Sequence, residues 1–76
     1  MNNKRRKLLL DATGLLTRAS SIIEKALDEE QDCLDNMPEN LLDSEKCIKM
    51  ETAIEKLEEA VEMIDEVNVC VEAALE

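Results

Sequence analysis

Apolar residues return every seven positions through the second half of the chain. Two adjacent columns of large apolar residues run along it, Cys47, Ile54, Val61 and Leu75 in one and Met50, Leu57, Ile64 and Val71 in the other. A period of seven is typical of an α-helix that packs along its whole length against another helix. The stretch therefore predicts a long helix from about residue 44 to residue 75.

Two further columns flank this apolar pair, and they differ in character. One is small and apolar and contains Ala53, Ala60, Val67 and Ala74, whereas the other is wholly acidic and contains Glu51, Glu58, Asp65 and Glu72. A charged column remains in solvent while the apolar columns pack. The acidic column is therefore the candidate partner-binding face, and it suits a basic protein surface.

The first half predicts a second long helix, from about residue 3 to residue 35. One face alternates large and small residues, with Leu8, Leu15 and Ile22 interleaved with Ala12, Ala19, Ala26 and Cys33. We expect this face to contact the other helix, because small residues opposite large ones fill space without voids. A parallel apolar line, formed by Leu9, Leu16, Ile23 and Leu27, is then left on the outside.

The only break lies between residues 36 and 43. Pro38 lacks an N–H and disfavours helical geometry at Met37, so the first helix should end near residue 35. Asp43 or Ser44 can cap the second helix. The prediction is an all-α fold in a single domain, an antiparallel two-helix hairpin resembling a coiled coil. Arg18 and Lys25 would then lie level with acids of the second helix.

Apolar surface is left over after that pairing, and soluble proteins avoid a long exposed apolar stripe. We therefore expect a homo-oligomer, first a homodimer that forms a four-helix bundle and second a larger helical assembly. The predicted oligomer interface comprises Leu9, Leu16, Ile23, Leu27, Met63, Val67 and Cys70. Asn68 interrupts the core column between Val61 and Leu75, where a polar residue fixes register at a cost in stability.

The composition speaks against an enzyme. The chain contains no His and no aromatic residue, which removes the commonest general base and metal ligand together with base-stacking platforms. We expect no catalytic residue, no metal site and no cofactor. The cysteines Cys33, Cys47 and Cys70 form no CxxC pair and are interpreted as reduced core residues of a cytoplasmic protein, with a redox-controlled bridge between Cys33 and Cys47 as the alternative. No segment is apolar for long enough to span a membrane.

Charge is distributed unevenly along the chain. The net charge is −10, yet four of the nine bases are consecutive, at residues 4–7, so the remainder carries −14. Residues 28–45 hold eight acids and no base. Such a surface repels nucleic acid and acidic membranes. We therefore expect neither direct nucleic-acid binding nor membrane binding.

The residues around the turn resemble a known group of proteins. The motifs are DEEQ at residues 28–31, DNMPE at 35–39, SE at 44–45, ME at 50–51 and AI at 53–54. They resemble small helical-hairpin proteins of uncertain function carried by phages, prophages and mobile elements of Firmicutes, although the cysteines depart from that pattern. The resemblance implies a mobile-element origin and a bacterial cytoplasm, with no catalytic residues to transfer.

Two hypotheses follow. The first is a non-enzymatic acidic protein-interaction module. The alternative is a phage anti-defence inhibitor that acts as a nucleic-acid mimic or as a sponge for a signalling nucleotide.

Overall fold

The computed structural model describes all 76 residues and contains two helices and no strand. Helix α1 spans Asn3–Asp35 and helix α2 spans Glu45–Leu75, with a single 3₁₀ turn at Glu39–Leu41 between them. The helices lie antiparallel and contact each other along a molecule of 60 × 15 × 14 Å. The predicted all-α hairpin is confirmed, and both helices begin and end within one residue of the expected positions.

Side-chain caps set where each helix begins. The Asn2 side chain accepts a hydrogen bond of 2.9 Å from the Arg5 N–H, and the Ser44 hydroxyl accepts one of 3.2 Å from the Cys47 N–H. Each cap satisfies a backbone donor that has no partner within the first helical turn. Pro38 follows α1 and directly precedes the 3₁₀ turn, so the chain reverses where proline excludes a continuous helix.

The surface along which the two helices meet, here called the seam, uses the predicted columns of α2. Cys47, Met50 and Ile54 are buried at the closed end, where the turn joins the helices. Further along, both columns remain half-buried and reach the end of the helix: Leu57, Val61, Ile64, Asn68, Val71 and Leu75. The prediction that these two columns form the internal contact of the hairpin is confirmed.

On α1 the seam differs from the prediction. Leu9, Leu16, Ile23 and Leu27, which were expected on the oligomer surface, are half-buried within the hairpin, and Ser20 is buried among them. The expected packing residues are exposed instead: Leu8 by 61%, Leu15 by 70% and Ile22 by 61%. The prediction for the faces of α1 was therefore wrong.

The reason for this exchange lies at the closed end. The column that contains Leu27 continues to Leu34, which is half-buried beside the turn, so this side of α1 stays apolar to the end of the helix. The column of Leu15 and Ile22 continues instead to Glu29, whose charge would be costly to bury. The column of Leu9, Leu16 and Ile23 also ends on an acid, Glu30, so Leu27 and Leu34 are the residues that keep this side of α1 apolar up to the turn.

The hairpin buries little of its own surface. Its radius of gyration is 17.4 Å, whereas a compact chain of this length has about 11 Å. The accessible surface is 5937 Å², against about 4,700 Å² for a typical folded monomer of 8.6 kDa. Only 4 of 76 residues are buried, so a single copy has a thin core.

Candidate functional site: two opposite faces of the hairpin

Carboxylates from both helices meet on one side of the seam. Glu24 and Asp28 of α1 and Glu58 and Glu62 of α2 line a groove of about 430 Å³, with Leu27 and Val61 at its base. All four acids are exposed. Together with Glu51, Asp65 and Glu72, which share the column of Glu58 and are also exposed, they form what we call the acidic face.

The predicted acidic column is thus one edge of a larger surface. Sequence reasoning missed the contributions of Glu24 and Asp28. The seven-residue columns hold the signal that would have found them, because flanking columns on the same side of an antiparallel pair face each other. Asp28 follows Leu27 of the seam just as Glu62 follows Val61, so the two carboxylates rise from matching positions on opposite walls of the groove.

No base neutralises the acidic face. The two ion pairs of the structure are Lys49 with Glu45 at 3.3 Å and Lys56 with Glu59 at 3.2 Å, both within α2 and outside the groove. Arg18 and Lys25, which were expected to reach the acids of α2, pair with none of them. Both lie on the exposed side of α1 away from the seam, which follows from the corrected orientation of this helix.

The opposite side of the seam is charged at the closed end, where Glu30, Asp32 and Lys46 line a groove, and mainly apolar beyond it. Cys33 of α1 and Lys46 of α2 line a groove of about 550 Å³ at the closed end. Lys46 is seven residues before Ala53 and Cys33 is seven residues after Ala26, so the small columns of both helices lie on this side. We call this surface the apolar face, which comprises Leu8, Ala12, Leu15, Ala19, Ile22 and Ala26 of α1 and Ala53, Ala60, Met63, Val67 and Cys70 of α2.

Three of the predicted interface residues belong to this apolar face. Met63 is 61% exposed, Val67 is 46% exposed and Cys70 is exposed. The four predicted residues of α1 lie in the seam, and Leu8, Leu15 and Ile22 take their place on the surface. The unpartnered apolar surface therefore combines the predicted residues of α2 with a different column of α1.

The two ends of the hairpin carry opposite charge. At the open end, where the chain termini lie, Arg6 donates a hydrogen bond from its guanidinium to the Leu75 carbonyl, which satisfies a carbonyl at the negative end of the α2 dipole. Lys4, Arg5 and Lys7 are exposed and form no ion pair. At the closed end, only Glu45 among the eight acids of residues 28–45 has a basic partner.

Asn68 lies in the seam and is half-buried, with its side-chain oxygen buried and without a hydrogen-bond partner. The Thr13 hydroxyl is not its partner, because it donates to the Leu10 carbonyl at 2.8 Å. Gly14 does not leave a space that the Asn68 side chain fills, because a Cβ at position 14 would meet nothing within 4 Å. Asn68 therefore lowers the stability of the helix packing at this position.

The Cys47 thiol is enclosed completely within the seam. Its Sγ donates to the Glu51 carboxylate at 3.7 Å. Burial raises the pKa of this thiol, and the nearby carboxylates of Glu51 and Asp43 raise it further, because all of them disfavour a thiolate. Cys33 and Cys70 are exposed, so the prediction that all three cysteines lie in the core was wrong for these two. No group of three acidic or thiol side chains is arranged to hold a metal ion.

Comparison of the chain with family models, curated proteins and solved structures finds no match. No helix is both long and apolar enough to cross a membrane.

Proposed function

We propose that the chain is a non-enzymatic protein-interaction module, a self-associating helical hairpin whose acidic face binds a basic protein surface. The resemblance of residues 28–54 to hairpin proteins of mobile elements supports a phage or mobile-element origin and a role in the cytoplasm of a bacterial host. No histidine is available for general base catalysis, which favours binding over chemistry.

The observation that carries this proposal is the acidic groove. Glu24, Asp28, Glu58 and Glu62 line it without any base, above the apolar floor of Leu27 and Val61. Carboxylates concentrated on one side attract a basic surface and accelerate its association. Their lysine and arginine partners would also cover the apolar floor with the aliphatic parts of their side chains.

The second candidate is an anti-defence inhibitor that mimics nucleic acid. It shares the acidic face, which would occupy the basic groove of a defence protein. The spacing of charge is the argument against close mimicry, since carboxylates of the Glu51 and Glu55 columns fall about every 6 Å along α2, at ~1.5 Å per residue. Phosphates follow one another at about 3.4 Å along a DNA strand. The acidic face has a lower charge density than DNA, so we favour a basic protein as its partner.

A sponge for a signalling nucleotide has less support. An anionic nucleotide needs a basic or backbone-lined pocket. Both grooves of the hairpin are bordered by carboxylates, and Lys46 is the only base that lines either of them. Arg18, Lys25 and the basic residues 4–7 are exposed and do not line a common cavity.

The test uses a synthetic lysine- and arginine-rich peptide as the probe. The face variant combines Glu24→Gln, Glu58→Gln and Glu62→Gln, and we expect at least tenfold weaker peptide binding and a shallower dependence of affinity on salt. The matched control combines Asp11→Asn, Glu66→Gln and Glu76→Gln, which removes the same charge away from the groove and should weaken binding less than threefold. Equal losses would show that net charge alone attracts the peptide.

A pull-down from host extract then distinguishes the candidates. Retention by the wild type and the control, with loss by the face variant, identifies a partner of the acidic face. If that partner is a single defence complex and duplex DNA displaces it, the mimic is favoured. Thermal stabilisation of the hairpin by cyclic nucleotides would favour the sponge and count against both other candidates.

A further inference from the structure

We propose that the apolar face binds a second copy of the chain, with the closed end of each hairpin at the open end of the other. This inference rests on the self-association in the proposed function and adds the face, the orientation and the consequence for binding. The two hairpins would form an antiparallel four-helix bundle with twofold symmetry.

The size of the face matches that of a stable dimer. A face of 60 × 15 Å has a projected area of about 900 Å², so two copies would bury about 1,800 Å². Specific interfaces bury about 1,200–2,000 Å². The hairpin exposes about 1,200 Å² more than a typical monomer of its mass, so burial of one face would remove most of this excess.

The residues of the face suit helix packing. Small side chains lie beside the seam, among them Ala12, Ala19 and Ala26 on α1 and Ala53 and Ala60 on α2. Longer side chains form the outer columns, with Leu8, Leu15 and Ile22 on one edge and Lys49, Lys56 and Met63 on the other. A second hairpin can approach closely over the small central residues while the larger ones fit between those of its partner.

Charge determines the orientation. If both closed ends lay together, two clusters of eight acids would adjoin, with only Lys46 and Lys49 of each copy beside them. In the opposite orientation, Lys4, Arg5 and Lys7 of each copy come close to the acids that follow Asp28 in α1 of the other. These three bases are exposed and unpaired in the single hairpin. The reversed arrangement therefore replaces repulsion between like charges with attraction.

The arrangement has a consequence for the proposed function. The acidic face lies on the opposite side of each hairpin from the apolar face, so the dimer presents two acidic faces that point away from each other. Each dimer would therefore bind two molecules of a basic partner. A partner with several basic sites would bind more tightly through avidity.

The experiment measures the distance between the two closed ends. A spin label is attached at Glu39→Cys, an exposed position on the turn, in a chain that also carries Cys33→Ser and Cys70→Ser. Cys47 remains, because its thiol is 0% exposed and inaccessible to the reagent in the folded protein. Pulsed electron resonance should give a label-to-label distance of about 60 Å, the length of the hairpin.

A dimer with a label distance of about 20 Å, the spacing of neighbouring helices plus the labels, would overturn the orientation. A chain that stays monomeric would overturn the self-association, while peptide binding to the acidic face would still test the proposed function separately. Ala19→Glu should raise the dissociation constant of the dimer at least a hundredfold without loss of helicity. Its control, Ser21→Glu, adds the same charge in the column of Asp28, on the side away from the apolar face. This variant should change the dissociation constant of the dimer less than threefold.

Discussion

Replacement of Asn68 by leucine should stabilise the hairpin, because the native side chain buries an oxygen that has no hydrogen-bond partner. An unsatisfied buried polar group costs about 1–3 kcal/mol. Leucine removes that cost and adds apolar contact in a column that runs from Val61 to Leu75. Since the position is only half-buried, we expect a gain near the middle of the range, about 2 kcal/mol.

Urea unfolding followed by circular dichroism at one fixed protein concentration measures this gain, and the melting temperature should rise by roughly 10 °C. Thr52→Leu is the matched control, because Thr52 is exposed and its replacement should change stability by less than about 0.5 kcal/mol. The Asn68→Leu variant should also populate more than one oligomer, because a register-fixing polar residue is gone. A loss of more than about 1 kcal/mol would refute the reasoning, since it would require a partner for Asn68 that the structure does not contain.

Three further predictions concern single side chains. Ser44→Ala should lower the unfolding free energy by about 1 kcal/mol, because the Cys47 N–H loses its acceptor. Urea unfolding measures this loss, and an unchanged free energy would show that the cap does not stabilise α2. Because folding raises the pKa of the Cys47 thiol, this thiol ionises at a lower pH in the unfolded chain than in the folded one. Stability should therefore fall as the pH rises above about 8.5, and Cys47→Ala should abolish this dependence on pH. In a dilute, monomeric sample, Leu16→Ala should lower the unfolding free energy by about 1–2 kcal/mol and Leu15→Ala by less than about 0.5 kcal/mol. A larger loss for Leu15→Ala would instead support the sequence-based prediction that Leu15 packs between the helices.

The sequence was sufficient for the helices and for the packing surface of α2. Pro38 ends α1 for a covalent reason, and Ser44 caps α2 with a local hydrogen bond, so neither depends on the rest of the fold. On α2, one flank of the apolar columns is acidic and the other is small. Only one pair of large columns can therefore pack, and the structure buries that pair.

The face of α1 was not predictable from periodicity alone. Leu8, Leu15 and Ile22 form one column of large residues, and Leu9, Leu16 and Ile23 form another, with alanines between them. Either column satisfies a seven-residue repeat. The seam also includes polar Ser20, which a search for apolar residues does not select. Continuity to the turn at Leu34 decides the matter, because the seam closes there.

The acidic face was predicted only in part for a related reason. The column of Glu58 was visible in the sequence, but the groove forms only once the orientation of α1 places Glu24 and Asp28 across from it. The correction that moves Leu16 into the seam is the same rotation that moves these two acids to the groove. A one-column error on one helix therefore altered the composition of both faces.

The central claim is that the hairpin associates through its apolar face, and sedimentation equilibrium tests it most directly. At about 100 µM the wild type should sediment with twice the chain mass of 8.6 kDa, and Ala19→Glu should sediment with 8.6 kDa while it retains its helical circular dichroism. A wild-type chain that is fully helical and sediments at 8.6 kDa at this concentration would contradict the account.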